Sequence, residues 1–234
     1  MLTDPGLLTP CCPSPDVPSM PKKKTKTAAP DASSIRSSRR NRLNTDEKLL
    51  LGMEKLLAQG ESFSTVSIER LTEIAGISRA TFYLYFRDKA DLVTHLVERV
   101  RDEIVKSAGQ WFQDASFVTR KDMNQTLRGI IGVYRKHHVI LSAMAQTAPG
   151  NADVARLSEQ MRTDLCHESR RAVSRLRGVG RAHTDSSDLV ADLLTLAIDH
   201  CSTLHPGMLQ GKQFDQVVAA WTHISWSALA APEA

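Results

Sequence analysis

The chain has 234 residues, 41% of them hydrophobic and 5% aromatic, with a formal net charge of +4. That length admits one large domain or two small ones, and the apolar content suffices for a buried core. No run approaches the ~20 uncharged apolar residues of a membrane span, and no apolar core of a secretory signal opens the chain. Cys11, Cys12, Cys166 and Cys201 show no framework spacing, so reduced thiols and a cytoplasmic location are expected. Segments with helical spacing dominate over alternating runs, so the expected fold is all-α.

Residues 1–21 carry Pro5, Pro10, Pro13, Pro15, Pro18 and Pro21 and read as disordered. Residues 22–42 set Lys22, Lys23, Lys24, Lys26, Arg36, Arg39, Arg40 and Arg42 against Asp31 alone. With Pro, Ser, Ala and Thr between its charges, this arm cannot bury enough apolar surface to fold by itself. A disordered segment over 1–42 is therefore expected, its basic part either contacting phosphates in a salt-dependent way or merely solubilising the chain.

Asn44, with Glu47 three residues on, resembles a capping box and opens a first helix to about Gln59. Leu50, Met53 and Leu57 form its core face, and Gly60 stops it. The segment Ser67 to Ala75 is a second helix with Ile68, Leu71 and Ile74 on one face. Gly76 supplies the left-handed residue that ends it, and Ser78 caps a third helix. From Ser78 to Phe86 four of nine residues are aromatic, in a chain poor in aromatics. Helix, Gly-containing turn and second short helix make a helix-turn-helix, whose second helix enters a DNA major groove.

Asp88 opens a long fourth helix through Leu92, Leu96, Val100 and Ile104 to Trp111 or Phe112. Asp122 opens the next, through Leu127, Ile130, Ile131 and Tyr134; a shorter one spans Val139 to Ala148 before Pro149-Gly150. A long helix from about Ala152 to Arg177 sets Val154, Leu157, Met161, Leu165 and Ala172 opposite its arginines. Two apolar helices, about Ser187–Leu204 and Phe214–Ala231, close the chain around His205-Pro206-Gly207. Their apolar faces are wider than one stripe, so each needs a second partner. A twin subunit covering Leu189, Leu193, Leu196, Val217, Val218 and Ile224 is the expected partner.

Other chemistry has little to stand on. His137 and His138 diverge by about 100° on a helix, which suits surface residues better than a metal. Cys201 and His205 stand one turn apart, but Pro206 ends the helix and no second pair completes a site. There is no P-loop, G-x-G-x-x-G, G-x-S-x-G or H-E-x-x-H. No cofactor, metal or catalytic residue is expected, and a helical enzyme or metal sensor is a distant alternative.

The run from Phe63 to Val93 resembles the DNA-binding domain of the TetR family of bacterial repressors, over roughly residues 43–100. Ala75-Gly76-Ile77-Ser78, Thr81-Phe82-Tyr83, Phe86 and Asp88-Lys89 stand at the family's spacings; Thr72 replaces its usual Ala. The resemblance implies three parts: residues 1–42 as the arm, 43–90 as the helix-turn-helix domain, and 91–234 as a helical ligand-binding and dimerisation domain. It implies DNA contact by Arg79, Ala80, Thr81, Tyr83 and Tyr85 outward from the third helix, with Ser67, Ser78 and Lys89 at helix starts. Arg79 alone can grip guanine O6 and N7.

The second domain resembles, more weakly, the actinobacterial ethionamide-type repressors, through the Thr-Phe-Tyr-x-Tyr-Phe helix, "RGIIGVYRKH" and a final V-x-x-x-W helix. That branch encloses an apolar channel and pairs its last two helices with a twin subunit. The implied lining is Trp111, Phe112, Tyr134, Met144, Met161, Leu165, Thr195, Asp199 and Trp221. Expected partners are double-stranded operator DNA, a hydrophobic small-molecule effector and a second copy of the chain. The expected function is a homodimeric repressor released by ligand; a regulator that activates, or works without a small molecule, is the alternative.

Overall fold

The computed structural model describes residues 32–231, with side chains from Asn44 onward. Residues 1–31, including Lys22 to Lys26 of the basic arm, lie outside the described residues, as do the side chains of Arg36, Arg39, Arg40 and Arg42. Contacts separate Met1–Ser38 from a second unit, Arg39–Ala234, which holds both the helix-turn-helix and everything after it.

The described residues form ten α-helices: α1 (Ala32–Ala58), α2 (Ile68–Ala75), α3 (Arg79–Tyr85), α4 (Lys89–Ser107), α5 (Gln110–Gln113), α6 (Arg120–Lys136), α7 (His138–Thr147), α8 (Ala152–Gly178), α9 (Asp188–Leu204) and α10 (Gln213–Leu229). The all-α expectation holds. One antiparallel bridge between Ala182 and Ala230 ties the end of α10 to the α8–α9 loop.

The helix-turn-helix forms as its local chemistry dictates. Ser67 caps α2 by accepting from the Arg70 amide, and Gly76 ends it in the left-handed region at φ 63°. The Gly76 amide donates to the Glu73 carbonyl and the Ile77 amide to that of Thr72, closing the end of the helix. Ser78 then caps α3 by accepting from the Thr81 amide at 3.0 Å, and Asp88 caps α4 through the Asp91 amide at 2.8 Å. Phe82 and Phe86 turn inward beside each other, ring centres 5.6 Å apart, and join the core with Leu49, Met53, Leu71 and Leu92.

Three boundaries differ from expectation. Helix α1 begins at Ala32, so Asn44 is an interior position and not its cap, and residues 32–42 continue a helix instead of a disordered arm. Helix α4 stops at Ser107, because Gly109 adopts φ 53° and turns the chain; Trp111 and Phe112 belong to the separate α5. Helix α6 is capped by Thr119, with Asp122 completing a capping box three residues in.

His137 departs further. It is 1% exposed, not a surface residue, because the α6–α7 junction packs onto α1 and α4. Its Nδ1 lies 2.7 Å from Glu54 of α1, and its Nε2 3.0 Å from Glu103 of α4. Lys136 also pairs with Glu103, at 2.7 Å. Burial raises the Glu103 carboxyl, but Lys136 and His137 outweigh it and hold the group below its ordinary value. Nearer the head, His95 of α4 meets the buried Asp46 of α1 at 3.0 Å. Helix α1 is thus fastened to α4 and the α6–α7 junction by two histidine–carboxylate contacts.

Candidate DNA-reading face and second-domain cavity

Because Phe82 and Phe86 are one turn apart and buried, the opposite side of α3 is exposed. Arg79, Ala80 and Tyr83 lie there as expected, with Thr81 half-buried at the edge. Arg79 pairs with Glu69 of α2 at 2.9 Å, both side chains well exposed, so the guanidinium is oriented without being consumed. The Glu69 carboxyl is held below its ordinary value by its own backbone amide and then by Arg79. Ser67 and Ser78 spend a lone pair each on capping; Ser78 Oγ also lies 2.9 Å from Thr81 Oγ1.

Tyr85 is half-buried, with its ring packed on the core. Lys89 Nζ donates to the carbonyls of Ser64 at 2.8 Å and Val66 at 2.9 Å. Burial lowers its pKa. Two of its three protons therefore hold the segment before α2, and one remains for a phosphate. Leu84 was missed: it is 74% exposed on α3. The signal was present, since a residue midway between two inward phenylalanines one turn apart stands about 200° from each and must face out.

Beyond the helix-turn-helix, α4, α5, α6, α8, α9 and α10 surround an apolar cavity. About 60 Å³ of it is open to the centre of a water molecule, room for a few waters. Trp111, Phe112, Tyr134, Leu165 and Thr195 line it as expected, joined by Ile104, Met123, Leu127, Ser169, Val173 and Ser225 among others. Tyr134 is fully buried and donates from its hydroxyl to Asp199 Oδ1 at 2.8 Å. Asp199 therefore stands behind the tyrosine and not in the lining; burial pushes its carboxyl up against the opposing pull of Tyr134, Arg162 and His200.

Besides Asp199, three more expected lining residues lie elsewhere. Met144 is buried on α7, which adds no wall to the cavity. Met161 sits one turn before Leu165 on α8, beyond the cavity's end, as core. Trp221 sits one turn before Ser225 on α10 and lines a separate apolar groove of about 210 Å³ with Cys201, Val217 and Ile224. A wider and more polar cleft of about 480 Å³ separates the start of α4 from the start of α8, bordered by Phe63, Lys89, Arg156 and Leu157. On the outer surface, α9 exposes Leu189, Leu193 and Leu196 and α10 exposes Ile224, whereas Val218 turns fully inward.

Among the described residues no helix is long and apolar enough to cross a membrane, and no three His, Cys, Asp or Glu side chains gather as a metal site. A capped helix-turn-helix followed by further packed helices defines the class: an all-α fold that carries a DNA-binding motif. Residues 55–96 match the model of bacterial regulatory proteins of the tetR family. The chain is 30% identical over 102 residues to the transcriptional regulator AcuR of Cereibacter sphaeroides, covering 44% of this chain and 42% of that protein. It is 26% identical over 136 residues to the HTH-type transcriptional regulator EthR of Mycobacterium tuberculosis, covering 57% and 63%. The chain thus spans less than two thirds of the length of the curated relatives it matches.

Two solved structures share its fold. The regulatory protein TetR from Rhodobacter sphaeroides superposes with a TM-score of 0.60 at 15% identity, over 79% of this chain and 98% of that one. Escherichia coli NemR in its reduced form gives 0.58 at 15% identity, over 81% and 99%. Residues 55–96 are thus similar to the tetR-family regulators in sequence, and the chain shares their fold.

Proposed function

We propose that this protein is a homodimeric repressor that reads a two-fold symmetric operator and lets go when an apolar small molecule enters the second domain. The observation that carries the reading is the outward face of α3: Arg79, Ala80, Tyr83 and Leu84 presented together on a helix capped at both flanks. Such a face offers one guanine-reading guanidinium and methyl groups suited to thymine, the mixture a major groove recognises. Reading two successive grooves requires two such helices about 34–36 Å apart, hence a dimer. The exposed leucines of α9 with Ile224 of α10 are the natural surface for it, being apolar and without cover in one chain.

Release follows if ligand favours a different head separation through α4. Ile104 of α4 borders the cavity, while His95 and Glu103 of the same helix hold α1 of the head directly or through His137. A ligand acts this way only if it binds the two arrangements with different affinity. The narrow cavity favours a second reading, in which the protein regulates without a small molecule. A thermal-shift screen of apolar compounds, with hits checked for release of bound DNA, separates the two. Compounds that stabilise and release support ligand control; no stabilising compound supports the second reading.

A further inference from the structure

We propose that the cavity selects an uncharged, mostly apolar guest bearing one hydrogen-bond acceptor, and that the Ser225 hydroxyl is the donor that meets it. The inference rests on the ligand reading above and adds the chemistry of the guest. The other hydroxyls of the lining are engaged within the protein. Thr126 donates to the Ala108 carbonyl at 3.0 Å and Tyr134 to Asp199 at 2.8 Å. Thr195 Oγ1 lies 2.7 Å from Ser169 Oγ and 2.9 Å from the Ala191 carbonyl.

Ser225 differs. It lines the cavity from α10 at 3% exposure, and its hydroxyl has no hydrogen-bond partner among the described residues. A helical serine commonly folds its hydroxyl onto the carbonyl one turn back. Thr222, in the same helix, does so onto Val218 at 2.7 Å, and Ser225 does not. A buried donor left unpaired is unfavourable, and a guest that accepts from it removes that penalty at the moment of binding.

The charge of the guest follows from the walls. No carboxylate, ammonium or guanidinium lines the cavity, and Asp199, behind the lining, is occupied by Tyr134. An ionised guest would lose its hydration there without a counter-charge. A plain hydrocarbon would bury its surface but leave Ser225 unpaired. A ketone, ether or amide on a slender apolar body satisfies both conditions.

The test uses octane, 2-octanone and octanoate at neutral pH against the full chain and Ser225→Ala, with affinity read by calorimetry and melting by thermal shift. The parent is expected to bind 2-octanone about tenfold more tightly than either companion, the scale of one net hydrogen bond. Ser225→Ala should lose that preference, leave octane unchanged and raise the melting temperature of the guest-free protein, because a methyl replaces an unpartnered hydroxyl. Opposite movements of affinity and stability are what a mere packing role cannot produce. Equal binding of 2-octanone by both proteins, octanoate binding as well as the ketone, or a parallel loss for all three compounds overturns the inference while ligand control stands. If none of the three binds, the inference and the ligand reading fall together.

Discussion

Gly129 of α6 lies against α4 where the two helices cross. A Cβ there would meet the Ser107 backbone oxygen at 2.5 Å, against the 3.4 Å at which ordinary contact begins. Alanine must therefore push α6 and the end of α4 apart by about 0.9 Å, and the obstacle is backbone that cannot swing aside. Overpacking of this kind costs roughly 1–3 kcal/mol. Gly132, one turn on in the same helix, provides the control, since a Cβ there meets nothing within 4 Å. Both substitutions gain the same helical preference of alanine over glycine, about 1 kcal/mol, so their difference isolates the clash. For a chain of this size that difference is roughly 2–12 °C in melting temperature. Gly132→Ala should melt above the parent and Gly129→Ala that far below Gly132→Ala, by scanning calorimetry. Two variants melting within about 1 °C of each other would refute the close α4–α6 crossing.

Arg79→Ala should weaken operator binding by about 1–3 kcal/mol and relax preference at one base per half-site; an unchanged ratio of specific to random DNA affinity rules Arg79 out as base reader. Leu193→Glu, at an exposed α9 position, buries an unpaired charge in the proposed dimer face at a cost of several kcal/mol. Sedimentation should show a monomer for this variant and a dimer for the parent at micromolar concentration, and a dimeric variant would place the interface elsewhere. Burial holds the Asp199 carboxyl above its ordinary value, so the folded state binds the extra proton between the unfolded and folded pKa. Stability through this group falls as pH rises across that window, and the penalty is complete at neutral pH. Asp199→Asn keeps an acceptor for the Tyr134 hydroxyl and should flatten that slope; melting temperatures measured from pH 4 to 7 with the parent's slope intact would contradict it.

The helix-turn-helix was legible because its determinants are local. Caps at Ser67, Ser78 and Asp88, the left-handed Gly76 and the inward pair Phe82 and Phe86 each act within a few residues. Where apolar spacing continued across a break, the reading overran: Trp111 and Phe112 extend the stripe of α4, yet Gly109 had already turned the chain. Where no apolar period exists, as before Leu43, the start of α1 gave no signal. Membership of the cavity depends on where helices end relative to one another, which spacing does not encode. Met161 and Leu165 share a face of α8, and only Leu165 reaches the space. His137 was hidden for the same reason, its partners Glu54 and Glu103 being 83 and 34 residues away.

Selection of duplexes from a random pool by the full chain, followed by sequencing of the bound fraction, tests the central claim most directly. The account predicts an enriched inverted repeat with half-site centres one helical turn apart, or a multiple of it, and loss of that enrichment with Arg79→Ala. Recovery of the input pool, or of a motif without two-fold symmetry, would contradict it.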